Sequence, residues 1–419
     1  MSRLLPGQDA PVPKGFRDGT HRTIAPSETV RRLEPLRRAL GITRVANVTG
    51  LDVLNVPVVV VCRPNSRSLS VAQGKGPTLD AAKASGLMES IEFHHAERIS
   101  LPLKLGSFHD LRFSHDVIDM DTLARPAGTL YDDRAKLLWI EGFDLIGHEV
   151  VWIPYELVHM DCTVPMPTGS GCFHLSSNGL ASGNHLLEAI SQGLCEVVER
   201  DGYVRWDGLE EAAQDRTRVD LSTVDDERCL EVLDRFESAG FEVAVWDMTS
   251  DVGAPTFRAL IWERDPRAIG AMGSSSGMGC HASRNVALLR ALTEAAQTRV
   301  TWISGARDDL FRKDFDAMRT HREVPKAAPP RAEGGSTSWA LRSFQSVASH
   351  DFDTFDEELA WLLERLRAVG IERAVVVDLT QPGLGIPVVR VVVPGLLHLY
   401  PSGTAPSRSN IHELTRSEP

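Results

Sequence analysis

Runs of β-branched residues, each broken at a turn and resumed just after a proline, recur three times along this chain. They are GITRVANVTGLDVLNVPVVVV at 41–61, GFEVAVWDMTSDVGAPTFRALI at 240–261 and GIERAVVVDLTQPGLGIPVVRVVV at 370–393. Each predicts a hairpin with its proline (Pro57, Pro255, Pro387) at the head of the return strand, where a missing N–H is tolerated. An amphipathic pattern of helical period precedes each run, at 27–40, 225–239 and 353–369. Each pattern stops at a glycine, the expected helix terminator. The repeating unit is therefore helix, strand, turn, strand, and a fourth hairpin is expected at 137–158. Such units predict an α+β architecture built from related subdomains.

A second series alternates with the first. Glycine-rich stretches at 73–76 (QGKG), 176–184 (SSNGLASGN) and 273–280 (GSSSGMGC) each lead into a predicted helix, at about 79–97, 185–204 and 283–303. None has the Walker A pattern, which argues against a P-loop nucleotide site. On the first helix Ser85, Glu89 and Glu92 share one face by their spacing. Asn184, Glu188, Gln192, Glu196 and Glu199 form a similar stripe on the second, with Arg200 beside it. Arg290, Glu294 and Gln297 repeat the spacing on the third. One reading makes these the solvent faces of ordinary helices. Against it, Glu89 and Glu92 have Phe93 and Ala96 four residues on, where an exposed glutamate is usually balanced by a basic residue; only Glu196 has one, Arg200. If the stripes converge, their carboxylates crowd one cavity at high cost. Mg²⁺, which takes carboxylate and phosphate oxygens, would remove that cost.

Composition narrows the setting. A net charge of -12 over 419 residues disfavours nucleic acid and anionic membrane as partners. No apolar run is long enough to span a membrane, and residues 1–20 lack the apolar core of a secretion signal. The six cysteines (62, 162, 172, 195, 229, 280) are scattered, with neither a zinc nor a disulfide pattern, so a cytoplasmic protein is expected. Cys195 lies within a helix and reads as core. Cys280, at a helix start, is a candidate for a lowered pKa. His94, His95, His185 and His281 flank the stripes without shared spacing, which weighs against a two-metal hydrolase. The stretch 323–338, rich in proline, glycine and serine, reads as a flexible segment.

Taken in order, these elements resemble the YcaO family. The matching residues are GKG at 74–76, Ser85-x3-Glu89-x2-Glu92, SNGLASGN at 177–184, Asn184-x3-Glu188, Glu196-x2-Glu199-Arg200, RALTEAAQTR at 290–299 and VVVPGL at 391–396. The likeness runs from about 44 to 396. It implies a YcaO-type fold of repeated subdomains around a central ATP and Mg²⁺ site, with residues 1–40 as an N-terminal segment and first helix, 41–400 as the catalytic domain and 401–419 as a tail. It also implies an enzyme that places phosphate on a peptide backbone amide oxygen. Glu89, Glu92, Glu188, Glu196 and Glu199 would then be metal ligands or their supports. Ser85, Asn184, Arg200, Arg290 and Glu294 would contact nucleotide, while Gln297 and Glu97 would support the site. Asn184 has an alternative role as a helix cap. The stretch KGFRDGTHRTIAPSETV at 14–30 looks like the TfuA-associated branch and puts Arg22 where a basic phosphate contact is expected; Lys75 is the other basic candidate. No catalytic side chain is assigned.

The nucleophile sets the product: sulfide gives a thioamide, a side-chain thiol or hydroxyl an azoline, an amine an amidine. The chain ends Arg416-Ser417-Glu418-Pro419 without the proline-rich tail common in azoline-forming relatives, and no fused leader-binding domain is evident. The expectation is therefore a thioamide-forming enzyme with a precursor peptide, a TfuA-like protein and a sulfide donor as partners, and a homodimer is left open. An azoline-forming cyclodehydratase is the alternative, and a non-catalytic binding protein a more distant one.

Overall fold

The computed structural model describes residues 10–126, 128–129, 131–265, 272–320, 341–398 and 402–404; the stretch 323–338 and the chain end at 416–419 lie outside the described residues. In chain order the elements that build the site begin with helix α1 (Pro26–Leu33), strands β1 (Arg44–Asn47), β2 (Val58–Cys62) and β3 (Val71–Lys75), and helix α2 (Leu79–Ala96). Next come β4 (Leu103–Ser107), β5 (Lys136–Asp144), β6 (Glu149–Pro154), β7 (Leu180–Ser182) and α3 (Leu186–Asp207). Then follow α4 (Glu227–Ser238), β8 (Phe241–Asp247), β9 (Thr256–Glu263), β10 (Ser275–Cys280) and α5 (Arg284–Ser304). Helix α6 (Phe355–Ala368) and strands β11 (Val375–Asp378) and β12 (Val388–Val392) close the set.

All four expected hairpins form as antiparallel pairs: β1 with β2, β8 with β9, β11 with β12, and β5 with β6. The glycine-rich stretches depart from expectation, because each contributes a third strand. Strand β3 pairs with β2, β10 with β9 and β7 with β12, all antiparallel. Three sheets thus share one order, in which the outer hairpin strand, its return strand and a glycine-rich strand lead straight into an inner helix, α2, α5 or α3. The first two units are continuous in sequence. The third is assembled from two distant stretches, α6-β11-β12 near the end of the chain and β7-α3 before it. Strand β11 also pairs with β5, which extends this sheet to six strands in the order β4-β5-β11-β12-β7, with β6 on the other edge of β5.

Glycine is required where the inner helices lie on these strands. A Cβ on Gly74 would sit 1.9 Å from the Ala82 carbonyl oxygen and 2.2 Å from the Gly86 nitrogen. On Gly279 it would sit 2.1 Å from the Ala287 oxygen. Backbone meets backbone with no room for a side chain, so helix and strand are locked in register. The rest of each interface is apolar: Val59, Leu87 and Ile91 in one unit, Phe257, Leu288 and Leu292 in another, Leu187, Leu194 and Val389 in the third. Each inner helix buries this side against its own sheet and turns its acidic stripe toward the other two.

The N-terminal segment is strapped across these units. Lys14 Nζ lies 2.6 Å from Glu358 Oε2 on α6, with both side chains fully buried. Among the described residues no helix is long and apolar enough to cross a membrane.

Candidate functional site

The three inner helices, β3 and the N-terminal strap enclose a cavity of about 620 Å³. All thirteen residues expected at a nucleotide and metal site line it: Arg22, Lys75, Ser85, Glu89, Glu92, Asn184, Glu188, Glu196, Glu199, Arg200, Arg290, Glu294 and Gln297. The stripes therefore face one another rather than solvent. Glu188 is 2% exposed and Glu199 8%.

Neighbouring groups hold most of these carboxylates in place. Glu188 Oε2 accepts from both the backbone nitrogen and the hydroxyl of Thr23, each at 2.8 Å. Its other oxygen takes the Asn184 amide at 3.2 Å and lies 3.7 Å from Arg22 Nε. Glu92 Oε1 accepts from Ser182 nitrogen at 2.9 Å and Ser182 hydroxyl at 2.7 Å. Glu89 accepts from Gln73 nitrogen at 2.9 Å. Arg200 lies 3.4 Å from Glu199 and 4.0 Å from Glu196, and Lys75 pairs closely with Glu294.

Six glutamates in one enclosure cannot all ionise easily. Burial pushes Glu92 up to about 8, against its Ser182 hydrogen bonds, and Glu89 and Glu196 add repulsion. Burial raises Glu196 to about 7, with Arg200 opposing and Glu199 assisting. Glu89 and Glu199 are raised for the same first reason. Glu294 is instead held below the usual carboxylate range: burial works against it, but Lys75 and Arg200 prevail. The donor set fits Mg²⁺, since among the described residues the lining offers glutamate oxygens and neither histidine nor thiol.

Several expectations are corrected. Glu97 does not line the cavity; it is buried in a two-pronged pair with Arg63, both contacts at 2.6 Å. The cap of α3 is His185, not Asn184, whose side chain instead bonds Glu188 and Thr29. Cys280 is fully buried against Cys195, and that contact together with burial pushes its thiol well above the usual range rather than below it.

Other residues at the site escaped the sequence reading. Gln73, Thr29, Trp302 and Arg307 line the cavity, and Thr23 orients Glu188. Arg390, 1% exposed, donates to the Asn178 and Val158 carbonyls behind the glutamates. Burial lowers it to about 10, while Glu196 and Glu92 support its charge. The signal for it was a lone arginine in the apolar run VVRVVV, since a charge in a buried strand must find partners.

A family model described as YcaO cyclodehydratase, ATP- and Mg²⁺-binding, matches residues 73–397. The chain belongs to the YcaO family. It is accordingly an ATP- and Mg²⁺-dependent enzyme of the peptide-modifying kind. An uncharacterized protein in the tfuA 3′ region of Rhizobium leguminosarum bv. trifolii is 37% identical over 386 residues, 91% of this chain and 90% of that one. An uncharacterized Methanothermobacter thermautotrophicus protein is 34% identical over 89% of this chain and 94% of its own. In fold, the chain is similar to YcaO from Methanopyrus kandleri bound with AMPPCP and Mg²⁺, with a TM-score of 0.71 and 24% identity over 92% of this chain and 94% of that one. It is also similar to a heterocyclase in complex with substrate and cofactor (TM-score 0.75, 22% identity); 94% of this chain is covered but only 55% of that longer one.

Proposed function

We propose that this YcaO enzyme activates a backbone amide of a peptide and that sulfide displaces the activated oxygen, leaving a thioamide. The observation that carries the activation step is the convergence of six glutamates, from three helices, on one enclosed cavity that also holds Arg22, Lys75, Arg200 and Arg290. Bound ATP, with its Mg²⁺, supplies the phosphoryl group that turns the amide oxygen into a leaving group. Glu89, Glu92, Glu188, Glu196 and Glu199 would hold the metal or support its ligands, and Thr23 and Ser182 fix two of those carboxylates in place. Arg22, Lys75, Arg200 and Arg290 meet phosphate charge. Ser85, Asn184, Glu294 and Gln297 complete the nucleotide contacts. In net terms an amide, ATP and hydrosulfide become a thioamide, ADP and phosphate, with no change of oxidation state.

Support for sulfide as the nucleophile comes from the Rhizobium relative, whose name sets it 3′ of tfuA, and from the resemblance of residues 14–30 to the TfuA-associated branch. The partners in this reading are a ribosomally made precursor peptide, a TfuA-like protein and a sulfide donor, and the reaction is set in the cytoplasm, where ATP is available. Azoline formation is the second reading, supported by the family model's description as a cyclodehydratase.

Mass spectrometry of a candidate peptide incubated with enzyme, TfuA-like partner, ATP, Mg²⁺ and sulfide separates the two. Thioamide formation exchanges oxygen for sulfur, consumes no cysteine and requires sulfide. Loss of water at a Cys, Ser or Thr, independent of sulfide, would establish the azoline reading instead.

A further inference from the structure

The two ends of the cavity are chemically unlike. At one end Pro26, Pro77, Ala81, Ala84 and Leu289 form a slot of small and apolar groups, with Arg22 and Arg290 close by. Its walls are near one another: a Cβ on Gly19 would lie 2.8 Å from Leu289 Cδ2 and 3.3 Å from Pro77 Cγ. A flat heteroaromatic base joined to phosphates suits such a slot. The other end lies twelve positions further along α5, roughly 18 Å of helix axis at 1.5 Å per residue. There Gln73, Thr301, Trp302, Leu310 and Val71 form the wall. The basic group at this end, Arg307, is committed to Asp309 through contacts of 2.8 and 2.5 Å.

Gln73 is the telling residue. Its backbone is fully engaged: its nitrogen donates to Glu89 and its oxygen accepts from Gln297, both at 2.9 Å. The residue is 6% exposed, and its carboxamide pairs with the Thr301 hydroxyl at one atom while Nε2 has no partner. Whichever way the amide is turned, one polar atom is left unpaired, sealed just behind the cavity wall. A buried polar atom without a partner is costly, and a turn of the Gln73 side chain would bring it to a ligand in the cavity. A peptide group, which presents both an N–H and a C=O, complements either orientation. Next to it stands Trp302, half-buried and held edge-on to Phe315 with ring centroids 5.3 Å apart.

We propose that this end is the peptide subsite, where the Gln73 carboxamide pairs with a backbone peptide group of the substrate and Trp302, Leu310 and Val71 receive the adjoining side chain. The enzyme then selects amides flanked by an apolar residue. This rests on the amide-activation reading above, and it places the substrate amide beside Glu89, the carboxylate that Gln73 itself anchors.

The test uses N-acetyl-leucine methylamide, a capped residue with two amides, titrated by NMR into full-length protein saturated with Mg²⁺ and AMPPCP. Wild type is expected to bind the probe saturably, and the glycine counterpart more weakly. Gln73→Met, which keeps the shape and removes the pairing group, should weaken the probe about fivefold. Trp302→Ala should do the same, and AMPPCP affinity should stay within about twofold in both variants, which also reports that they are folded. The proposal is overturned if wild type shows no saturable binding, if Gln73→Met binds the probe as wild type does, or if the probe and AMPPCP displace one another. Failure of wild type to bind AMPPCP with Mg²⁺ would instead count against the amide-activation reading.

Discussion

Glu92 and Glu196 keep their protons at a pH where free glutamates have lost theirs. Burial raises them to about 8 and about 7, from an ordinary value of 4.5. Between 4.5 and those values these two carboxyls hold protons in the folded, metal-free protein that the unfolded chain has lost, so their contribution to stability falls as pH rises. His21, His94, His95, His159, His281 and His398 are held below 6.5 by burial and act in the opposite sense below that pH, so the melting temperature of the metal-free enzyme should decline from about pH 6.5 to about pH 8 and flatten above that. Glu92→Gln and Glu196→Gln should each reduce the slope, as read by differential scanning fluorimetry across pH. A melting temperature that rises through this window would contradict the burial argument. Divalent metal displaces the same protons, so its binding should release them near neutrality, which calorimetry in buffers of different ionisation enthalpy detects.

At the scale of elements, the glycine-rich strands decide where the stripes point. Gly279→Ala puts a methyl group 2.1 Å from the Ala287 oxygen and 2.7 Å from the Ala291 nitrogen. Neither atom can yield unless α5 lifts off β10. Overpacking of this kind costs about 1–3 kcal/mol, and more where backbone must move. The variant should melt lower and lose nucleotide affinity even though it removes no ligand. Gly240→Ala makes a useful control: nothing lies within 4 Å of its Cβ position, so only the strain of its positive φ of 80° applies, and nucleotide affinity should survive. These strands were the part of the fold hardest to read. The hairpins announce themselves through β-branched residues and prolines, and the helices through their period. QGKG and SSGMGC carry no strand signal, because glycine there answers to a helix backbone rather than to β-propensity. The pairing of β7 with β12 was hidden for a different reason, since the partners lie far apart in the chain and neither run names the other. Within the site, charged residues at helical spacing were legible. Thr23 and Gln73 were not, because their roles depend on which segments meet in space.

Over the whole molecule, the N-terminal strap ties the third unit to the cavity. Lys14 pairs with Glu358 at 2.6 Å and contacts His21 Nδ1 at 3.2 Å, and Glu358 also takes the Ser191 hydroxyl from α3. This anchor fixes the segment that leads into the cavity, and it is what lets Arg22 and Thr23 reach Glu188. Lys14→Met leaves a buried carboxylate without its cation, which typically costs about 3–5 kcal/mol. Lys14→Met combined with Glu358→Gln should recover much of that loss in chemical denaturation; no recovery would mean that the pair is not the anchor.

The central claim is that carboxylates from three repeated units form one Mg²⁺-dependent nucleotide site. Titrating ATP calorimetrically, with Mg²⁺ and then with EDTA, into wild type, Glu89→Gln and Glu199→Gln tests it most directly. These residues lie on different inner helices, so a shared site requires both. The account predicts binding with Mg²⁺, loss of it in EDTA, and a drop of about tenfold or more in each variant, as expected when a charged ligand is removed. ATP affinity that is unchanged by EDTA and by both substitutions would contradict it.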